Sequence, residues 1–118
     1  MKKRRGYKRT ERVGKQLHEF LASTLLIDLE DPNLAGVQVT HVEVSPDLRH
    51  ARVLYVLLGS DEPDEEAQLA LERATRRLKR EIGAQLRMKY IPDLAFEYDE
   101  SVQRGRRIED LLSGLRDD

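Results

Sequence analysis

The sequence predicts an α+β domain in which helices cover one face of a small three-stranded sheet. Apolar residues recur three or four apart over two long segments, about residues 10–29 and 64–89, which at ~100° per residue forms one apolar stripe on a helix. Three short runs, VQVTHVEVS, HARVLYVLLG and LAFEYD, are rich in β-branched and aromatic residues and are bounded by turn residues. The order helix, strand, strand, helix, helix, strand, helix is that of helices laid on one face of a sheet. The other face is then partly solvated or covers a partner.

Composition limits the alternatives. A chain of 118 residues makes one domain and buries ~65% of the surface its unfolded form exposes, so a single core is feasible without staples. No cysteine is present, which excludes disulfides, zinc ribbons and thiol chemistry and suits a reducing cytosol. With no apolar run of ~18 residues and no signal-peptide pattern, the expectation is a soluble cytoplasmic protein without a membrane partner. The formal net charge of −1 hides segregation along the chain. Cations gather at Lys2 to Lys15, Arg73 to Lys89 and Arg104 to Arg107. Acids gather at Asp28 to Asp31, Asp61 to Glu66, Asp93 to Glu100 and the last residues. A nearly neutral chain with separated poles can present one basic face.

The opening MKKRRGYKR has too little apolar content to pack and reads as a flexible arm over residues 1–8, either an RNA clasp using Lys3, Arg4 and Arg5 or a frayed end. A first helix is expected from about Thr10 to Leu29. Thr10 offers a capping oxygen, Glu11 suits the positive end of the helix dipole, and Val13, Leu17, Phe20, Leu21, Thr24 and Leu25 form the stripe. Pro32 disfavours helical geometry at Asp31, so DPNLAG is a loop.

In the first strand Val37 and Val39 share one face while Val42 and Val44 share the other. The phase slips near Thr40 and His41, which calls for a bulge, the preferred reading, or a strand covered on both sides. SPDL follows as a tight turn, its proline presetting φ and its aspartate able to bond back to the backbone. HARVLYVLLG is apolar in both phases beyond Arg52 and reads as a central strand covered on both sides. SDEPDEEA is an acidic loop that feeds acids to the start of the next helix, from about Asp64. Gly83 and the pair Ala74-Thr75 are candidate bending points in the helical region that Pro92 closes. In LAFEYD, Leu94, Phe96 and Tyr98 face in. Ser101 caps a short last helix with apolar positions Val102, Ile108, Leu111, Leu112 and Leu115, weakened by Gly105 and Gly114.

Function is most legible between Leu71 and Lys89. Leu71, Ala74, Leu78, Ile82 and Leu86 form the packing stripe, and Arg73, Arg76, Arg77, Arg80 and Arg87 fall opposite, with Lys79 and Lys89 at the flanks. A row of guanidinium groups suits a polyanion better than a small substrate. The plainer reading, a charged face that keeps a helix solvated, stands beside it. An enzyme lacks its parts: there is no Walker-type loop and no nucleophile elbow. His18, His41 and His50 have no further ligands at metal-binding spacing, so no metal or cofactor is expected. Glu97, Asp99 and Glu100 cluster near a strand end, where acids commonly cap a helix or pair with arginines. Among the tyrosines Tyr55 and Tyr98 read as core, and Tyr7 is the first choice for stacking on RNA, ahead of Tyr90.

RVGKQLHEFLASTL, DPNLAGVQVTHVEVSPDLRHARVLYVLLG and ALERATRRLKREIGAQLRMKYIPDLAFEYDESVQRGRRIEDLL occur in that order from Arg9 to Leu112. In these runs and their spacing the chain resembles the ribosome-binding factor A family, a maturation factor of the small ribosomal subunit. The resemblance implies a K-homology fold of order α-β-β-α-α-β at residues 9–100, followed by a short helix and tail at 101–118. The Gly-x-x-Gly clamp of ordinary K-homology domains is replaced in the family by an interhelical kink of Ala-x-Gly pattern, which matches Ala74, Thr75 and Arg76 here. Arginine stands where the family usually has glycine. Arg76 accommodates positive φ poorly, which leaves the sharpness of the kink open, and it adds a cation to the expected RNA path.

The resemblance further implies non-catalytic binding of the immature 30S subunit and its 16S rRNA, assistance in late maturation and rRNA processing, and a role in cold adaptation. The implied partners are the 30S subunit, its precursor and other assembly factors such as a ribosome-dependent GTPase, with the chain acting as a monomer. The expected rRNA-binding set is Arg73, Thr75, Arg76, Arg77, Lys79, Arg80, Arg87 and Lys89, with Lys3, Arg4 and Arg5. A general RNA-binding domain, or an adaptor that docks protein on the exposed sheet face, are the alternatives.

Overall fold

A computed structural model describes residues 2–27 and 30–116, and the side chains at 2–8, 26, 27, 102, 103, 106, 115 and 116 lie outside the described set. Helix α1 (Lys2–Ile27) leads through a short 3₁₀ turn (Pro32–Leu34) to strands β1 (Val37–Val44) and β2 (His50–Leu57). Helix α2 (Glu65–Leu86), strand β3 (Asp93–Tyr98) and helix α3 (Glu100–Arg116) complete the chain. The sheet order is β1-β2-β3, antiparallel between β1 and β2 and parallel between β2 and β3. A parallel pair needs a long crossover, and α2 supplies it.

The expected α+β architecture is present, with α1 and α2 on one sheet face. Leu17, Phe20, Leu21 and Leu25 of α1 and Ala67, Ala70, Leu71, Leu78 and Ile82 of α2 are buried against Val37, Val39, Val42, Ala51, Val53, Tyr55 and Phe96. The bulge is there as well: the β1–β2 register shifts between Val39 and His41. One extra residue brings Val42 and Val44 back to the face that holds Val37 and Val39, so the phase slip in sequence becomes a continuous apolar face in space. Two groups secure α1 beside β1. Gly14 lets the helix approach so closely that a Cβ there would lie 3.2 Å from the Val42 carbonyl oxygen. The His18 ring meets the Val39 carbonyl oxygen at 3.2 Å, next to the bulge.

Four expectations are corrected. Helix α1 begins at Lys2 rather than Thr10, because lysine and arginine are good helix formers and nothing before Thr10 breaks the helix outright. The expected clasp at Lys3, Arg4 and Arg5 falls on side chains outside the described set. The two middle helices are one continuous helix, α2, and no residue within it has positive φ. Arg76 is therefore ordinary helix, and what survives of the expected kink is a back-bond from Thr75 Oγ1 to the Leu71 carbonyl at 3.0 Å, a contact that bends helices gently.

Strand β2 is central but not covered twice. Leu54 and Val56, on the face away from the helices, are half-buried, and Arg52 there bonds Glu43 Oε2 at 2.8 Å and Glu97 Oε2 at 2.5 Å across all three strands. Finally, α3 is capped by Asp99 rather than Ser101: Asp99 Oδ1 accepts from the Ser101 backbone N–H at 3.0 Å and from its hydroxyl at 2.5 Å.

Candidate nucleic-acid interface

Helix α2 carries the site because its two faces are chemically opposite. Asp64 caps its start by accepting from the Glu66 N–H at 3.1 Å, and Glu65 and Glu66 complement the dipole in the first turn. Leu71, Leu78 and Ile82 are fully buried and fix the helix's rotation about its axis. That leaves Arg73, Arg76, Arg77 and Arg80 exposed along one side, three or four residues apart.

The structure sorts the expected residues by what already holds them. Arg73 reaches Asp31 Oδ2 at 3.5 Å, and Arg77 reaches Glu81 Oε1 at 3.3 Å, one helical turn on. Lys79 is half-buried and donates to Asp93 Oδ1 at 2.6 Å, which ties α2 to the start of β3 and holds the Asp93 carboxyl below its ordinary value. Arg76 and Arg80 make no ion pair among the described residues. They form the unneutralised centre of the stripe. Thr75 is half-buried and spends its hydroxyl on the helix backbone, and Ala74 packs at the edge of the core, so neither presents a polar group to a ligand.

Arg87 departs from the helical face. It is the C-cap of α2 in the left-handed conformation, φ 50° and ψ 38°, and the chain turns there into the loop 87–92. This loop makes one wall of a cleft of about 970 Å³ whose other walls are Arg9 and Val13 of α1 and the β1–β2 turn, Pro46 to His50. The turn is built locally. Ser45 O accepts from Leu48 N at 2.8 Å, Asp47 Oδ1 accepts from the Ser45 hydroxyl at 2.6 Å and from Arg49 N at 3.0 Å, and Leu48 takes φ 62°. The Ser45 hydroxyl and Arg49 N–H bonds lower the Asp47 pKa.

On the loop, Tyr90 is 73% exposed and Lys89 Nζ lies 5.5 Å from its ring centroid. Arg9, Arg49 and Tyr90 lie outside the expected binding set. They come from three distant segments, and the one signal in the sequence is an aromatic next to a lysine in a short loop ending at Pro92.

The acids near the end of β3 have structural partners. Asp99 caps α3, Glu97 pairs with Arg52, and Glu100 bonds Arg104 at 3.3 Å. No group of three or more His, Asp or Glu side chains converges to hold a metal among the described residues. None of the described helices is long and apolar enough to cross a membrane.

The family model described as Ribosome-binding factor A matches residues 9–112. Ribosome-binding factor A of Geobacter metallireducens is 38% identical over 109 residues, which cover 92% of each chain. The protein of that name from Thioalkalivibrio sulfidiphilus is 39% identical over 108 residues, 92% of this chain and 84% of that one. The crystal structure of ribosome-binding factor A from Thermus thermophilus superposes with a TM-score of 0.68 at 31% identity, over 75% of this chain and 93% of that one. A homology model of the Thermus thermophilus factor, fitted into a cryo-electron microscopy map of a 30S complex, gives a TM-score of 0.63 at 32% identity, over 74% and 91% of the two chains.

Proposed function

The chain belongs to the ribosome-binding factor A family, and from that premise we propose that it is a non-catalytic assembly factor of the small ribosomal subunit. It binds the immature 30S particle through 16S rRNA and assists late maturation, including rRNA processing, with a role in growth in the cold. It works in the cytoplasm, as a monomer, beside other assembly factors such as a ribosome-dependent GTPase. The observation that carries this reading is the arginine stripe on α2, with Arg76 and Arg80 exposed and in no ion pair among the described residues. The Thermus thermophilus relative fitted to a 30S complex supports the choice of partner.

Arginine's planar fork grips phosphate oxygens in pairs. Arg76 and Arg80 supply the first contacts, and Arg73 and Arg77, themselves exposed, join by exchanging the half-buried carboxylates of Asp31 and Glu81 for phosphates. Lys79 keeps Asp93, while Arg87 and Lys89 extend the path beyond the end of the helix. Phosphate contacts position the protein without reading sequence, so specificity comes from the folded shape of the rRNA. In this reading residues 9–100 are the rRNA-binding domain, residues 1–8 with Lys3, Arg4 and Arg5 add a basic arm, and 101–118 form the tail.

The adaptor reading has less support. The open sheet face carries the Glu43–Arg52–Glu97 ladder, in which the one guanidinium already bonds both carboxylates. Co-sedimentation with purified 30S subunits over a range of salt tests the proposal. Log affinity falls with log salt by ~0.7 to 0.9 per phosphate neutralised, whereas salt-independent binding would favour the adaptor.

A further inference from the structure

We propose that the cleft between α1, the β1–β2 turn and the loop 87–92 receives an unpaired RNA nucleotide, its base stacked on Tyr90 and its phosphates met by Arg9, Arg49 and Lys89. The inference rests on the rRNA-binding reading and adds a second contact of different character. A stripe of arginines on a helix suits a backbone of any structure, whereas an exposed aromatic ring beside cations suits a base lifted out of a stack.

Four observations converge on the cleft. Its volume of about 970 Å³ is at the upper end of the ~300–1,000 Å³ usual for ligand sites, enough for a nucleotide and its flanking phosphates. Tyr90 is the most exposed of the large hydrophobic side chains among the described residues, at 73%. The ring so placed is largely open to a ligand, with the Lys89 ammonium 5.5 Å from its centroid. Both acids in the cleft are engaged: Asp93 accepts from Lys79 at 2.6 Å, and Asp47 from Ser45 at 2.6 Å and from the Arg49 N–H at 3.0 Å. Neither needs Arg9 or Lys89 as a hydrogen-bond partner. Lastly, Leu48, which lines the cleft, and Arg87, which precedes the lining residue Met88, are the two non-glycine residues with positive φ among those described. Backbone held in this sparsely populated region is common where a ligand is clamped.

The test is fluorescence anisotropy with a labelled single-stranded RNA octanucleotide, run in parallel with 30S co-sedimentation, for the unaltered chain and for Tyr90→Ala, Tyr90→Phe and Arg80→Glu. Tyr90→Ala weakens octanucleotide binding roughly tenfold, the scale of one base–aromatic stack, and Tyr90→Phe retains it within about twofold, since the ring face is what binds. Equal binding by Tyr90→Ala and the unaltered chain overturns the proposal, as does an unaltered chain that sediments with subunits but ignores the octanucleotide. In both cases the subunit-binding reading stands. Loss of subunit binding is a separate result, read from the 30S arm. Because Tyr90 is exposed, its variants keep the fold, which thermal melting verifies.

Discussion

Thr40 Oγ1 donates a 2.6 Å hydrogen bond to Asp99 Oδ2, joining the bulge of β1 to the residue that caps α3. The residues are 59 apart in sequence, and each is at an irregularity. Thr40 is the residue skipped by the β1–β2 register. Asp99 is buried, and its N–H donates to the Tyr55 carbonyl at 2.7 Å. The bulge thus turns a hydroxyl toward the one carboxylate that ends β3 and starts α3. Asp99→Asn weakens two of these contacts and costs about 1–3 kcal/mol, and Thr40→Ala costs about 1 kcal/mol. Urea unfolding of both single variants and the pair returns a coupling of at least ~0.5 kcal/mol; strict additivity would mean that the contact is incidental.

The same carboxylate gives stability a pH dependence. The hydroxyls of Ser101 and Thr40 hold its pKa below the ordinary value, against the opposing effect of burial. A carboxyl lowered by folding adds stability that is present above its unfolded pKa, about 3.9, and lost as pH falls through the lower folded value. Unfolding free energy therefore declines on acidification below about pH 4. Asp99→Asn flattens that decline in urea melts taken across the acid range, leaving the weaker share of the solvent-exposed Asp47 and Asp93, whose pKa values are also lowered.

Gly14 sets the distance between α1 and β1. A Cβ there would lie 3.2 Å from the Val42 carbonyl oxygen, a backbone atom with little freedom to move. Gly14→Val forces the helix outward and costs about 1–3 kcal/mol. Gly83 differs, since its Cβ would meet the tip of the Ile91 side chain at 2.7 Å. The roughly 1 kcal/mol that alanine gains over glycine in a helix then offsets the repacking, and Gly83→Ala changes stability by less than about 1 kcal/mol. Thermal melts of the two variants compare the sites directly.

Tyr55 fixes the centre of the sheet. Its hydroxyl bonds Gln68 Oε1 at 2.5 Å, Gln68 Nε2 in turn donates to the Phe96 carbonyl at 2.8 Å, and its ring meets Tyr98 edge-on with centroids 5.9 Å apart. Tyr55→Phe costs about 1–2 kcal/mol, through the unsatisfied Gln68 oxygen. Tyr55→Ala costs about 3–5 kcal/mol, because a buried aromatic volume is emptied as well. The difference between the two in chemical unfolding separates the bond from the packing.

Much of the fold was legible because local signals agreed with tertiary ones. The shift from Val37 and Val39 to Val42 and Val44 marked a bulge that the register contains, and Asp64 with Glu65 and Glu66 marked the start of α2. The double coverage expected for β2 failed because Leu54 and Val56 are apolar without being covered; one strand's composition does not reveal how many layers pack on it. The break near Arg76 failed because every residue from 74 to 76 is compatible with helix, and continuous burial of Leu71, Leu78 and Ile82 holds the helix together. At the site, helical spacing identified the arginine stripe, but not which arginines are neutralised. Asp31 and Glu81 settle that for Arg73 and Arg77, and Asp31 lies outside the helix, as does Asp93, the partner of Lys79. Of the cleft only Tyr90 beside Lys89 left a signal, because Arg9, Arg49 and Tyr90 meet only through the fold.

Arg76 and Arg80 are the residues proposed to hold the protein on rRNA. Sedimentation of Arg76→Glu/Arg80→Glu with 30S subunits, at salt concentrations where the unaltered chain binds, tests that role most directly. Expected are loss of co-sedimentation with an unchanged melting temperature, and a salt slope for residual binding reduced by ~0.7 to 0.9 for each phosphate no longer neutralised. A folded double variant that sediments with subunits as strongly as the unaltered chain would contradict that role.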